Sequence, residues 1–244
     1  KNLTVISDEK IELVKKVTFS IKAGEIFAIA GVSGNGQVEI ADAIIGLLES
    51  KCGEIIFKGK NITHCSIRER IEHGISYIPE DRQKFGVVLD FSLQSNLALK
   101  LYYKPPFSRK GILHIAAFEE HANRLIGKYD IRSGQGKDTS LRSMSGGNQQ
   151  KAIIAREVEM ASSLLIFVQP TRGLDIGATD NIRRQIIAER DSGKAVLLIT
   201  LDLDEVMTLA DTIGVIYNGE LLKIAAANTL ATEEVGSYMM GVKH

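Results

Sequence analysis

The sequence lacks any net charge: 30 lysines and arginines offset 30 aspartates and glutamates over 244 residues. A nucleic-acid binder usually carries a basic surplus, so that class is disfavoured. No run approaches the roughly 18 apolar residues that span a bilayer. The start, "KNLTVISDEK", shows no basic region followed by an apolar stretch, and so no signal peptide. It also lacks methionine, which reads as an excised piece of a longer polypeptide. Only two cysteines occur, Cys52 and Cys65, in unrelated contexts. They are too few for a disulfide framework or a metal site and read as two free cytosolic thiols. The histidines are scattered: His64, His73, His114 and His121 fit solvated helix or loop positions, and His244 is terminal. No metal site is expected.

What the chain does have is apolar residues, 44% of the total, enough for a real core. Short apolar runs alternate with amphipathic segments, the pattern of an α/β fold. "GEIFAIAG", "LLIFVQ" and "AVLLIT" read as buried strands. "EIADAIIGLL" predicts a helix with Ile40, Ile44, Leu47 and Leu48 on one face. "GEIIFKGKNI" reads as a strand and turn, "SIRERIEHG" as a short helix stopped by glycine, and "ISYIPE" as a strand. "AAFEEHANRLIGKYDI" predicts an amphipathic helix with Phe118, Ala122, Leu125 and Tyr129 in register. "NIRRQIIAERDSG" predicts a helix stopped at Gly193. "TIGVIYNGELLKI" predicts two strands about Asn218-Gly219. No strand is evident between about Phe91 and Arg142, which marks a helical insertion.

Two stretches carry chemistry. "AGVSGNGQVE" follows a strand and opens a helix. Gly31 and Gly36 hold the fixed positions of a phosphate loop, G-x-x-x-x-G-K-[S/T], across Gly31, Val32, Ser33, Gly34, Asn35, Gly36, Gln37 and Val38. Such a loop turns backbone N–H groups and a helix dipole toward phosphate. Gln37 replaces the lysine and Val38 the hydroxyl that holds magnesium. The second stretch is "SMSGGNQQKAIIARE", where Ser145, Gly146 and Gly147 open another helix, followed by "LLIFVQPTRGLDIGA".

Together these resemble the ATP-binding-cassette ATPases over essentially the whole chain. The order is phosphate loop (Gly31 to Val38), signature loop (Ser145, Gly146, Gly147, Asn148, Gln149), Walker B strand (Leu164 to Gln169), "GLD" loop (Gly173, Leu174, Asp175) and switch (Thr200 to Asp202). "YIPEDRQKFGVV", "YYKPPFSRKGIL" and "SGGNQQKAIIARE" look like the second ATPase half of bacterial simple-sugar and nucleoside importers, nearest the nucleoside type. The resemblance implies a phosphate-loop α/β core with an N-terminal antiparallel β-region (1–82 and 161–244) and a helical subdomain (83–160), all in one cassette.

The departures from that pattern point one way. Val168 and Gln169 stand where a magnesium-binding aspartate and a water-polarising glutamate are expected. Leu201 replaces the switch histidine, Glu80 the glutamine after "YIP", and no aromatic stands near Val5 to Asp8 to stack adenine. One charge-assisted hydrogen bond to phosphate is worth about 1.5–3 kcal/mol, and a general base roughly 10²–10⁴ in rate. No catalytic residue of its own is therefore expected. Its loop would bind ATP weakly or, if Gln37 and Glu80 pair, not at all. The resemblance implies that Ser145, Gly146 and Gly147 complete an ATP–magnesium site on a second cassette, the first half of the same polypeptide, with Asp175 aligning the halves. It further implies permease subunits at the cytoplasmic face of the membrane and, indirectly, an extracellular solute-binding protein. Tyr102, Tyr103, Pro105, Pro106 and Phe107 could face the permease or pack locally. Arg82 and Arg172 could reach phosphate, or pair with carboxylates such as Asp81 and Asp175. The rival readings are an autonomous ATPase used in DNA repair or translation, and a nucleotide-free interaction module.

Overall fold

Three apolar runs (Ile26–Ala30, Leu164–Val168 and Ala195–Thr200) lie side by side as parallel strands in the computed structural model, which describes residues 1–160 and 162–242. The expected boundary at 161 and His244 lie outside the described residues. In chain order the elements begin with β1 (Leu3–Ile6), β2 (Glu12–Val17), β3 (Ile26–Ala30), α1 (Gln37–Ile45), β4 (Ser50–Cys52), β5 (Ile56–Phe57), β6 (Lys60–Asn61), α2 (Ile67–Glu72) and β7 (Ile75–Ile78). Then come α3 (Leu93–Leu97), β8 (Ser108–Arg109), β9 (Ile112–Leu113), α4 (Ile115–Lys128) and α5 (Gly146–Val158). The chain continues through β10 (Leu164–Val168), α6 (Ile176–Asp191), β11 (Ala195–Thr200), α7 (Leu203–Leu209), β12 (Thr212–Tyr217), β13 (Glu220–Ala226) and α8 (Thr232–Met239).

The chain divides into two compact units. The first comprises the described residues of Lys1–Tyr77, Ala161–Gln169 and Arg183–His244. Its main sheet has the order β13-β12-β3-β11-β10-β7, and β2-β1-β4 form a separate antiparallel sheet. Every residue of β3 and β10 is buried, because parallel strands are covered on both faces. The register pairs Val168 with Ile199 and Thr200 with Ala30. The C-terminal ends of β10, β11 and β3 therefore form one row, and the loops that leave them emerge together. β12 and β13 form the expected hairpin. Asn218 and Gly219 both take left-handed φ values, 47° and 81°, as a tight hairpin turn requires.

Helix α1 ends earlier than its apolar periodicity predicts. Gly46 turns left-handed at φ 86°, and its N–H caps the carbonyls of Ala43 and Asp42. Ile40 and Ile44 are buried, but Leu47 and Leu48, past that turn, are 51% and 36% exposed. Ser66 opens α2 with a capping box to Glu69, and the helix stops before Gly74 as expected.

The second unit comprises Ile78–Met160 and Pro170–Ile182. Phe118, Ala122, Leu125 and Tyr129 form the predicted buried stripe of α4. Phe107 is buried edge-on against Phe118 at 5.2 Å between ring centres, while Tyr102 is exposed. A short hairpin, β8–β9, interrupts the strand-free stretch that the sequence predicts. Lys110 and Gly111 make its turn with φ 50° and 81°. His121 is not solvated: its ring lies 5.0 Å from that of Phe107, and burial, with Arg124 beside it, lowers its pKa. Glu157 on α5 is fully buried, and burial alone would raise its pKa. Lys100 at 2.7 Å and Arg156 at 2.9 Å outweigh that and hold it below the usual carboxylate range.

No helix among the described residues is long and apolar enough to cross a membrane. Cys52 and Cys65 are free thiols.

Candidate functional site

The glycine loop keeps its backbone shape. Gly34 and Gly36 adopt φ 84° and 99°, and Gly36 caps α1 from the left-handed region. A methyl group on Gly36 would meet the Leu13 carbonyl oxygen at 2.4 Å, so the close approach of β2 reinforces the demand for glycine. The first N–H groups of α1 have no partner within the helix and remain an anion-binding end. Asn35 fixes the loop from outside. Its Oδ1 accepts the N–H of Asn218 at 2.8 Å, and its backbone carbonyl accepts that of Gly219 at 3.1 Å. Sequence reasoning found Asn35 only as a loop position. The "NG" hairpin was visible, but its docking onto this loop was not.

Gln37 and Val38 occupy the positions where a phosphate loop carries its lysine and hydroxyl. Gln37 is 3% exposed and donates from Nε2 to the carbonyl of Val32 at 2.9 Å, folding a neutral side chain back across the loop. Val38 packs against the hydrophobic cluster of which Val168 is a fully buried member. Neither valine can ligate a cation, while the loop's backbone shape suits phosphate. Gln169 follows Val168 with φ 50°, its N–H donated to Ile199 O at 2.8 Å. Leu201, after the buried Thr200, is 38% exposed and supplies no proton donor. Asp202 caps α7 by accepting the N–H groups of Asp204 and Glu205, and Arg183 bridges Asp202 and Asp204, each at 3.3 Å.

The first unit thus brings together Gly31 to Val38, Val168, Gln169 and Leu201. The second gathers Glu80, the signature residues and the "GLD" loop. Within the first unit Gln37 is hydrogen-bonded to Val32, and within the second Glu80 forms an ion pair with Arg172. The carboxylates expected to hold the arginines act as caps instead. Asp81 accepts the N–H groups of Gln83 and Lys84, and Asp175 accepts that of Ala178 at 2.8 Å. This cap explains why α6 starts at Ile176, before the segment the sequence marks as helical. Arg82 donates to the carbonyl of Arg172 at 2.9 Å, and its guanidinium would lie 3.0 Å from a methyl on Gly146. It joins the segment before the "GLD" loop to the signature loop, contacts that sequence distance conceals.

At the signature loop, Ser145 caps α5 by accepting the N–H of Asn148. Asn148 donates its amide to Ser145 Oγ at 2.9 Å, and its own oxygen accepts the N–H of Arg132 at 2.8 Å. Gln149 is buried, donating to Leu141 O at 2.8 Å and accepting from Gln83 at 3.3 Å. A cleft of about 360 Å³ opens here, lined by Ser145, Gly147, Asn148, Lys151, Asp175 and Asn181 among others. Lys151 is held by Asp130, whose carboxyl its hydrogen bond keeps below the ordinary range. The cleft lies at the N-terminus of α5, an end suited to an anion, and its lining mixes the cations Arg132 and Lys151 with the carboxylates Asp130 and Asp175.

Arg70 escaped the sequence reading. It is 4% exposed and donates to the carbonyls of Ala43 and Ile44 at 2.7 Å, Thr63 at 2.6 Å and Cys65 at 2.9 Å. It closes the C-terminal end of the helix whose other end carries the glycine loop.

Comparisons with known proteins agree with this geometry. A family model described as "ABC transporter" matches residues 14–172. The guanosine import ATP-binding protein NupO of Bacillus subtilis (strain 168) is 44% identical over 98% of this chain and 47% of its own length. The nucleoside import ATP-binding protein NupA of Lactococcus lactis subsp. cremoris is 42% identical over 99% of this chain and 47% of its own. The glucose import ATP-binding protein TsgD13 of Haloferax volcanii is 37% identical over 99% and 44%. The chain thus spans about half the length of the curated relatives it matches. Among solved structures, a dimeric ATP-binding cassette, MJ0796, bound to ADP and phosphate superposes with a TM-score of 0.78 at 22% identity, covering 93% of this chain and 97% of that one. A nucleotide-free cassette superposes with the same TM-score at 20% identity over 98% and 93%. The fold is that of the ATP-binding cassettes, with the mixed sheet and helical subdomain the resemblance implied.

Proposed function

The chain belongs to the ABC transporter family, and from that premise we propose that it is a degenerate nucleotide-binding cassette of an importer for nucleosides or simple sugars. It serves as the non-catalytic partner of an active cassette. The observation that carries this reading is an asymmetry within one chain. At the two magnesium positions Val168 belongs to a hydrophobic cluster and Val38 packs against it, whereas Ser145, Gly146 and Gly147 keep a capped helix N-terminus beside a polar cleft. A chain that had abandoned nucleotide altogether would have no use for the second feature. One acting as an autonomous ATPase could not tolerate the first.

In this reading residues 1–244 are one cassette of a tandem polypeptide, and the other half holds ATP and magnesium. The relatives, about twice as long, support a second cassette, and their names support an import role. Ser145 and the N–H groups of Gly146 and Gly147 donate to the γ-phosphate bound by the partner, and Asp175 helps align the halves. Closure of the pair is transmitted to permease subunits at the cytoplasmic face, and a solute-binding protein acts on the far side. The chain's own loop holds ATP weakly or not at all, because Gln37 contributes no charge and no cation can be ligated.

The test is ATP-dependent association of this chain with its partner cassette, the partner's hydrolysis being blocked by mutation. Sedimentation should show a complex that needs ATP and is lost with Ser145→Arg. A complex indifferent to both would refute the reading.

A further inference from the structure

Ser145 Oγ receives two hydrogen bonds from a single residue, Asn148: one from Nδ2 at 2.9 Å and a longer capping bond from the backbone N–H at 3.5 Å. The orientation of that amide is set at its other end. Oδ1 of Asn148 accepts the backbone N–H of Arg132 at 2.8 Å. A backbone N–H can only donate, so the amide oxygen must face Arg132 and the amino group must face Ser145.

A hydroxyl has one proton to give and two acceptor positions. Both acceptor positions of Ser145 Oγ face donors on Asn148. Its proton therefore has no acceptor on Asn148 and is turned away from it, and Ser145 itself lines the cleft, with Gly147, Lys151, Asp130 and Asp175 among its other walls. We infer that Asn148 is a positioning residue that holds the Ser145 hydroxyl as a donor toward a phosphate oxygen of the nucleotide on the opposing cassette. This inference rests on the proposed function and extends it, since it says why an amide follows the two glycines. A hydroxyl free to rotate would spend part of its time presenting a lone pair to an anion. Asn148 removes that orientation before the nucleotide arrives.

Asn148→Asp provides the test. The introduced carboxylate can still accept from Arg132, but its other oxygen faces Ser145 without a proton. Ser145 must then donate to that carboxylate and no longer to phosphate. The full transporter, with its partner cassette and permease, is assayed for ATPase rate against ATP concentration. Asn148→Asp should raise KM by roughly tenfold to a hundredfold, the worth of one hydrogen bond to a charged acceptor. Asn148→Gln keeps the amide donor and should restore most of the loss, which separates orientation from misfolding. The decisive variant is the double one. In a Ser145→Ala background, Asn148→Asp should change KM by less than about twofold, because the group it acts through is gone. An equal rise in both backgrounds would show a direct effect of charge on the nucleotide and overturn the inference, as would a silent Asn148→Asp. A silent Ser145→Ala would instead defeat the proposed function itself, so the two failures are told apart.

Discussion

Val38, in the first turn of α1, packs against the hydrophobic cluster that holds Val168, the last residue of β10, at 0% exposure. The two positions that would ligate one cation have joined the same core. On the proposed function, a lysine restored alone brings back no magnesium chemistry. With Gln37→Lys, calorimetric titration of the chain should show ATP binding tighter by about tenfold to a hundredfold, the contribution of one charge-assisted bond. The gain should be the same with magnesium as with a chelator. Val168→Asp in the otherwise native chain should lower stability by about 3–5 kcal/mol, since it buries a carboxylate with no partner.

Glycine geometry in the loop should be measurable as a contrast. Gly36→Ala must place a methyl 2.4 Å from the Leu13 carbonyl oxygen while holding φ at 99°. Gly34→Ala meets nothing within 4 Å and bears only the left-handed backbone cost at φ 84°. Urea denaturation should give a loss of about 1–2 kcal/mol for Gly34→Ala and a clearly larger one for Gly36→Ala. Equal losses would mean that β2 does not constrain the loop.

Arg70→Met should cost about 2–4 kcal/mol, because it leaves the carbonyls of Ala43, Ile44, Thr63 and Cys65 without their shared cation. The helix dipole of α1, which favours a positive charge at that end, adds to the loss. A shift of the urea midpoint at unchanged slope would report it.

Acid should weaken the second unit in two stages. His121 has a lowered pKa, so the unfolded chain takes up a proton that the folded chain refuses. Its contribution is intact above the ordinary value of 6.5 and is lost progressively as pH falls below it. Glu159 follows. Burial alone would raise its pKa, but hydrogen bonds from Lys128, Arg124 and Tyr129 hold it down at about 2. Its contribution is full above the ordinary 4.5 and drains away between there and about 2. Denaturant midpoints against pH should flatten in the upper window with His121→Phe and in the lower one with Glu159→Gln.

Much of the core was legible because its signals are local. The runs at Ile26–Ala30, Leu164–Val168 and Ala195–Thr200 are continuous, apolar and bounded by glycine or polar turns, and parallel strands covered on both faces demand that. The left-handed turns at Gly34 and Gly36 and the helix cap at Ser145 were legible because glycine and helix-capping residues carry backbone geometry in their identity. What was hidden depended on distant partners. Arg70 reads as a solvated charge in "SIRERIEHG", and only the fold shows it closing α1. The partners of Gln37 and Glu80 within their own units, Val32 and Arg172, have no signature in the sequence. The β8–β9 hairpin has two residues per strand, too few for a pattern, and its Ile112 and Leu113 are exposed.

The role of Ser145 is central, and the ATPase rate of the full transporter carrying Ser145→Arg tests it most directly. An arginine at the cap of α5 fills the cleft and removes the hydroxyl donor. Turnover should fall by about 100-fold or more, the scale of losing a preorganised donor to developing phosphate charge. In the proposed function the hydrolytic residues lie on the other cassette and are untouched. A transporter with Ser145→Arg that hydrolyses ATP at its original rate would contradict this role.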